Sequence, residues 1–258
     1  MAVAHGSRDP RSATTVAALM ERVRALRPDL DVRLAFLDLC APRLEAVLAT
    51  VSRAVVVPLL LSRAFHANVD VPGAVARAVA NRPELDVTVT EVLGPDPRLE
   101  VAALHRLAAA GVRADDSDVG VVLAAAGSQQ DSPNAAVATV ARSWAARTRW
   151  QVVPAFACAA RPTVPDAIAT LQASGARRIA VASWFLAPGL LPDKVARQAR
   201  ATDPQALLAD PLGPDDAVAS LIARRYEACQ ALVHGVSGAR VQPRSCLTAP
   251  GPRTQRAG

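Results

Sequence analysis

The sequence predicts an α/β protein made of two copies of one unit, each a four-stranded parallel sheet flanked by helices. Two observations support this fold class. Strand-like apolar segments alternate with helix-like amphipathic segments, and the whole pattern occurs twice. A length of 258 residues allows two modest domains that each bury a core. Hydrophobic residues form 51% of the chain and charged residues 20%, which is typical of a globular protein.

The duplication is visible in short motifs that recur, in order, after about 120 residues. The matched pairs are Gly6-Ser7 with Gly127-Ser128, Pro42 with Pro162, and Leu93 with Leu212. We therefore predict an N-terminal domain over residues 1–115 and a C-terminal domain over residues 116–235. Residues 236–258 are rich in Pro, Gly, Ser and Arg and lack periodicity, so this tail is predicted to be disordered.

In the first copy, the segment after the short strand 2–4 has apolar residues at helical spacing, with Ser12 as its predicted N-cap and Pro28 ending it. The run AVVVPLLL at 54–61 is continuously apolar, as in a strand buried on both faces. Pro42 is expected in the first turn of its helix. The predicted strands are 2–4, 31–37, 54–61 and 87–93, and the predicted helices are 12–26, 42–51, 72–80 and 97–110.

The second copy repeats this order. Its predicted strands are 119–125, 151–157, 179–186 and 206–208, and its predicted helices are 135–147, 164–174, 192–201 and 215–229. The first strand of this copy has seven residues before its Gly-Ser, whereas residues 2–4 supply three. This difference leads us to expect that the natural chain begins further upstream.

Three strands of the first copy deliver polar residues to one edge of the predicted sheet. His5 follows the first strand, Asp38 with Cys40 nearby follows the second, and His66 follows the third. Ligands of open parallel sheets bind beyond the carboxyl ends of the strands. Two imidazoles and a carboxylate with open positions suit a divalent first-row metal that is held and then released.

Each of these residues also has a plainer interpretation. Asp38 could cap the following helix, Cys40 could be a small buried thiol, and Asp70 is interpreted as an N-cap. The His-Gly-Ser segment could begin a phosphate-binding turn, although it lacks the further glycines of a nucleotide fingerprint. His105 is interpreted as structural or solvated, and His234 as a residue of the tail.

The second copy provides an internal control for the two histidines. It has Ala126 at the position of His5, Cys158 at that of Asp38, and about Leu191 at that of His66. Because the core pattern persists without the histidines, they are predicted to serve function and not folding. The second copy is then a scaffold or a lid.

Composition excludes several classes of protein. The net charge is +6, but the arginines are scattered, which favours an acidic small molecule over nucleic acid as the partner. No apolar run is long enough for a membrane span, and no secretory signal begins the chain. The four cysteines are widely spaced without a CxxC pair, so we expect reduced thiols and a cytoplasmic protein.

The motifs AHGSRDP, FLD, PLLLSRAFHANVDVP and LGPDP, in this order, resemble the class II tetrapyrrole chelatases, in particular the sirohydrochlorin chelatases of the CbiX/SirB type. The resemblance covers roughly residues 1–230 and implies two tandem chelatase-like, flavodoxin-like domains in a monomer. It implies insertion of Co²⁺ or Fe²⁺ into sirohydrochlorin, in cobalamin or sirohaem biosynthesis, without a nucleotide. A non-catalytic carrier of the metal or the tetrapyrrole is the alternative.

The resemblance also implies roles for individual residues. His5 and His66 are expected to bind the metal and act on the macrocycle. The family often has glutamate where this chain has Asp38, and the shorter carboxylate is expected to hold an imidazole or to act through water. The residues expected to bind the carboxylate-rich substrate are Ser7, Arg8, Arg11, Arg63 and Asp38.

Overall fold

A computed structural model describes residues 1–62 and 70–234 of the chain. It contains two parallel four-stranded sheets with the strand orders β2-β1-β3-β4 and β6-β5-β7-β8. The first copy consists of β1 Ala2–Ala4, α1 Pro10–Leu26, β2 Leu34–Phe36, α2 Leu44–Leu48, β3 Arg53–Pro58, α3 Val71–Asn81, β4 Asp86–Val89 and α4 Pro97–Ala109. The second consists of β5 Val119–Ala125, α5 Asp131–Arg147, β6 Gln151–Phe156, α6 Val164–Ala173, β7 Arg178–Ser183, α7 Leu190–Thr202, β8 Leu207–Leu208 and α8 Asp216–His234. The predicted α/β fold and its duplication are confirmed.

The start of α1 differs from the prediction. The helix begins at Pro10, and its N-cap is Asp9, whose carboxylate accepts a hydrogen bond from the backbone N–H of Arg11. The prediction of Ser12 as N-cap is therefore wrong, because an aspartate followed by proline forms an earlier helix start. Asp70 does occupy the N-cap position of α3, but its side chain makes no capping hydrogen bond.

The boundaries of α2 and β2 also differ from the prediction. Pro42 lies before α2 and not in its first turn, because the helix begins only at Leu44. Strand β2 is shorter than the predicted 31–37. It pairs with β1 from Ala2 opposite Leu34 to Ala4 opposite Phe36, so the length of β1 limits it.

Three apolar clusters form the core and define the layers of the molecule. One lies between the first sheet and α2 and α3, and a second lies between the second sheet and α6 and α7. The third and largest lies between the two sheets and includes side chains of both copies, among them Leu19, Leu99, Trp144 and Leu221. The two copies therefore share one central core.

The last helix of each copy packs on the other copy. Helix α4 contacts β7 of the second sheet, and α8 contacts α1 and β3 of the first. The side chain of Arg106 on α4 donates two hydrogen bonds to the carbonyl of Leu212, at 2.8 and 3.0 Å. In the reverse direction, Arg225 on α8 donates to the carbonyls of Val92 and Leu93, both at 2.9 Å. This reciprocal exchange fixes the two sheets against each other.

The predicted tail falls on residues outside the described ones. Within residues 1–62 and 70–234, no helix is long and apolar enough to cross a membrane.

Candidate metal-insertion site

The loop after β1 places His5 at the carboxyl edge of the first sheet. His5 directly follows Ala4, and its carbonyl accepts a hydrogen bond from the backbone N–H of Asp38 at 2.8 Å. Gly6 has a φ of +96°, and a Cβ there would lie 1.7 Å from the Asp38 carbonyl oxygen. Only glycine permits this close approach of the loops after β1 and β2. The sequence His5-Gly6 therefore couples the imidazole to the adjacent strand end.

Ser7 takes part in holding this loop. Its hydroxyl accepts a hydrogen bond from the backbone N–H of Asp9 at 3.1 Å, and its carbonyl accepts one from the Cys40 thiol at 3.0 Å. The matching Ser128 of the second copy accepts from the backbone N–H of Gln130 at 3.0 Å. Because both copies use the serine in this way, the turn explains the residue without a ligand. Substrate binding by Ser7 remains a prediction.

Asp38 lies near His5 but its carboxylate has another partner. One of its oxygens is 2.7 Å from the guanidinium of Arg43, and the side chain is 55% exposed. A hydrogen bond from the backbone N–H of Leu39 is the largest cause that lowers the pKa of Asp38, followed by that from Arg43. His5, when protonated, lowers this pKa by a smaller amount. Asp38 is thus an ionised carboxylate beside the imidazole, oriented by Arg43.

Arg8 and Arg11 differ in what they contact. Arg8 is exposed, and no carboxylate of the described residues lies within ion-pair distance of its guanidinium. Arg11 is paired with two carboxylates, those of Asp9 and Asp193, each 2.5 Å from Nη2. Hydrogen bonding to Arg11 holds the pKa of Asp9 below its ordinary value. Of the two predicted substrate-binding arginines in this segment, only Arg8 has no carboxylate partner among these residues.

A cavity of about 790 Å³ lies between the two copies, with His5 in its wall. The first copy contributes His5 and the residues after β3, Leu59 to Ser62. The second copy contributes the loops after its own strands: Ala126, Gly127, Ser128, Gln129, Gln130, Cys158, Ala159, Trp184, Phe185 and Leu186. Both strand-end edges therefore face one shared space. Such a volume is within the usual range for small-molecule sites.

Two of the predicted site residues, Arg63 and His66, lie outside the described residues. In sequence, they follow Ser62, which lies in the wall of the cavity. Among residues 1–62 and 70–234, no three His, Cys, Asp or Glu side chains are grouped so that they could hold a metal ion.

The second copy faces His5 with residues that carry no imidazole. Ala126, the counterpart of His5, and Cys158, the counterpart of Asp38, both lie in the cavity wall. Leu191, matched approximately to His66, also contributes to this wall. The Cys158 thiol donates a hydrogen bond to the carbonyl of Ala126 at 3.1 Å. The internal alignment thus places all three substitutions on one surface.

Sequence reasoning missed two features of the site. Trp184 follows β7 and lines the cavity, although it falls within the predicted strand 179–186. The pairing of Arg11 with Asp193 joins residues 182 positions apart, and no local pattern signals such a contact. The position of Trp184 at the end of a buried strand was the available signal for its place in the wall.

Comparisons with known proteins agree with this architecture. The CbiX family model matches residues 1–110 and 120–229, once for each copy. The sirohydrochlorin ferrochelatase of Priestia megaterium is 25% identical over 237 residues, which cover 87% of this chain and 88% of that protein. The sirohydrochlorin ferrochelatase of Bacillus subtilis strain 168 is 26% identical over 220 residues, covering 82% and 84%.

Solved structures show the same fold. SirB from Bacillus subtilis with Fe³⁺ superposes with a TM-score of 0.74 at 24% identity and covers 91% of this chain and 96% of its own. The SirB from Bacillus subtilis subspecies spizizenii in complex with cobalt gives a TM-score of 0.70 at 22% identity, covering 91% and 95%. Because the family model matches both copies over most of the chain, this protein belongs to the CbiX family.

Proposed function

We propose that this chain is a sirohydrochlorin chelatase that inserts a divalent metal ion, Co²⁺ or Fe²⁺, into sirohydrochlorin. Its family membership supports this, as do two relatives of similar length that are named sirohydrochlorin ferrochelatases. Both relatives are named as enzymes, which favours a chelatase over a carrier protein. Related structures with Fe³⁺ and with cobalt support a transition metal as the second substrate.

The single observation that carries the proposal is the position of His5 in the wall of the cavity between the copies. A macrocycle needs a cavity wide enough to hold the flat ring between two walls. One of these walls must present a metal ligand to a face of the ring. The cavity has walls from two sheets, and the described wall of the second copy contains no histidine. A tetrapyrrole bound there would have the imidazole of His5 on one side.

The chemistry divides between proton removal and metal delivery. A free-base tetrapyrrole loses two inner N–H protons as one divalent metal ion enters, and the ring nitrogens become the metal ligands. A neutral imidazole can accept such a proton because its pKa lies near the working pH. We assign these two tasks to His5 and His66. One imidazole accepts one of the two protons and the other proton passes to water, while the second imidazole holds the metal until the ring nitrogens replace it. Asp38 stabilises a protonated His5 through its nearby negative charge.

Arginines near His5 are the groups expected to recognise the acidic rim of the substrate. Arg8, Arg11 and Arg63 would pair with carboxylates of the substrate, and the net charge of +6 would attract an acidic ligand. The Gly-Ser loop after β1 lacks the glycines of a nucleotide fingerprint, so the proposed reaction uses no nucleotide. We further propose that the chain acts in the cytoplasm as a monomer whose two copies form a pseudo-dimer.

An anaerobic insertion assay tests the proposal. Sirohydrochlorin is mixed with Co²⁺ or Fe²⁺, with and without the protein, and the absorbance change of the macrocycle gives the initial rate. We expect a faster rate with the protein for at least one metal, and a loss of that acceleration in His66→Ala. Equal rates with and without the protein would contradict a chelatase, and tight binding of sirohydrochlorin without acceleration would identify a carrier.

A further inference from the structure

An ion pair joins the two copies beside the cavity. Nη2 of Arg11, in the first turn of α1, lies 2.5 Å from Oδ2 of Asp193, in the first turn of α7. Leu191, two residues before Asp193, lines the cavity, as does His5 near the start of α1. A Cβ built on Gly189 would lie 3.8 Å from the Ser7 hydroxyl, so the start of α7 abuts the loop that carries His5. The ion pair therefore lies at the rim where the two copies meet.

The guanidinium of Arg11 is already engaged by two carboxylates. Asp9 binds it through both oxygens, with Nε 3.1 Å from each oxygen and Nη2 2.5 Å from Oδ2. Asp9 also caps α1, so moving its carboxylate would remove the N-cap hydrogen bond of that helix. The Asp193 carboxylate is less constrained than that of Asp9. Among the described residues Arg11 is its one partner, and its side chain is 39% exposed. Asp193 can therefore leave Arg11 without loss of a helix cap.

We propose that the Asp193 carboxylate holds the position on Arg11 that a carboxylate of the tetrapyrrole substrate takes, so that Asp193 is a residue that sets substrate affinity. The inference rests on the proposed function, because it requires an acidic substrate in the cavity. Substrate entry exchanges one carboxylate–guanidinium pair for another and breaks the contact between α1 and α7. Asp193 then competes within the molecule for the group that the substrate needs.

This competition predicts that removing the Asp193 carboxylate increases the affinity for the substrate. Asp193→Asn keeps the size of the side chain and removes the charge that competes for Arg11. Substrate binding should become tighter, whereas the chemical step should not change, because Asp193 is absent from the described cavity wall. Exposed ion pairs have modest strength, so we expect the dissociation constant and KM to fall about threefold at low salt, with kcat unchanged.

Asp210→Asn is the matched control. Asp210 is exposed, lies in the same copy, and forms no ion pair with the described residues, so its replacement makes the same change in net charge without releasing Arg11. The dissociation constant is measured by quenching of tryptophan fluorescence with metal-free sirohydrochlorin, because Trp184 lines the cavity. Thermal unfolding of both variants is recorded in parallel.

The inference is supported if Asp193→Asn binds more tightly than the wild type, Asp210→Asn binds equally, and Arg11→Gln abolishes the gain of Asp193→Asn. It is overturned if Asp193→Asn, with a wild-type melting temperature, binds with equal or lower affinity. The two proposals fail separately. A wild type that binds sirohydrochlorin without inserting metal contradicts the chelatase alone, whereas equal affinities of wild type and Asp193→Asn contradict the role of Asp193 alone.

Discussion

The two copies share backbone hydrogen bonds in their strand-end loops and differ in side chains that these loops carry. The backbone N–H of Asp38 donates to the carbonyl of His5 at 2.8 Å, and that of Cys158 donates to the carbonyl of Ala126 at 2.9 Å. The carbonyl of Pro42 accepts from Phe36 at 2.9 Å, and the matching Pro162 and Phe156 pair at the same distance. This backbone forms without an imidazole in the second copy, so the geometry of the loop does not depend on His5.

The comparison separates what the fold requires from what the site requires. Glycine with positive φ stands at equivalent places, as Gly6 and Gly127, because both loops approach the next strand end closely. The counterparts His5 and Ala126 have no such constraint. We therefore interpret the glycines that agree as part of the scaffold, and His5, which differs, as a candidate site residue.

The largest effects on stability should come from the two shared glycines. In Gly6→Ala and Gly127→Ala, the new Cβ would lie 1.7 and 2.0 Å from a backbone carbonyl oxygen at an unfavourable positive φ. We expect each to lower the free energy of unfolding by about 3 kcal/mol, measured by chemical denaturation. Gly175→Ala is the control, because Gly175 has a similar φ of +94° with nothing within 4 Å of its Cβ position. Losses for Gly6→Ala and Gly127→Ala no greater than that of Gly175→Ala would show that close approach is not the constraint.

The next largest effect concerns the exchanged helices. Arg106→Ala removes the two hydrogen bonds to the Leu212 carbonyl, and Arg225→Ala removes those to Val92 and Leu93. Each should destabilise the protein by about 1–2 kcal/mol. Arg225→Ala should cost somewhat more, because the Arg225 guanidinium also lies 3.6 Å from the Asp96 carboxylate. Measuring the free energy of unfolding of both variants tests whether α4 and α8 both contribute to the contact between the copies. A loss confined to one variant would contradict this.

The smallest effect on stability should come from the ion pair between Asp38 and Arg43, which only the first copy has. The folded protein lowers the pKa of Asp38, chiefly through the backbone N–H of Leu39 and then through Arg43. The ionised carboxylate therefore adds stability above the ordinary pKa of an aspartate, and this contribution disappears as the pH falls through the lowered value. Asp38→Asn should be slightly less stable than the wild type near neutral pH and equal to it in acid. A difference that stays constant as the pH falls, in melting curves recorded across this range, would contradict this account.

The sequence predicted most of the scaffold because its signals are local. Periodicity and continuous apolar runs located all eight strands of the described chain, and the recurring motifs aligned the copies. The ends of β2 could not be predicted without knowing its partner, because β2 extends only as far as the three residues of β1 with which it pairs. The exchange of α4 and α8 was missed, because helical periodicity shows that a face is buried but not which sheet buries it. The equal spacing of Arg106 and Arg225 from their copies' LGP motifs was the available signal.

The order of the strands was enough to predict that His5 lies at the edge of the sheet where ligands bind. His5 follows β1 and lines the cavity, as its place after a parallel strand indicates. The partners of the charged residues could not be predicted, because Arg43 turns back to Asp38 and Asp193 reaches Arg11 from the other copy. The contact between Arg11 and Asp193 depends on how the two sheets pack against each other through the shared central core.

The most direct test of the account replaces His5 and compares it with another histidine. His5→Ala should lower kcat/KM for metal insertion about a hundredfold or more, with an unchanged melting temperature, because Ala126 already stands in the equivalent loop. His105→Ala is the control, since His105 lies on α4 and contacts Asp215 at 3.0 Å, away from the cavity wall. Its insertion rate should match the wild type. A folded His5→Ala variant that inserts metal at the wild-type rate would contradict the assignment of the chemistry to the first copy.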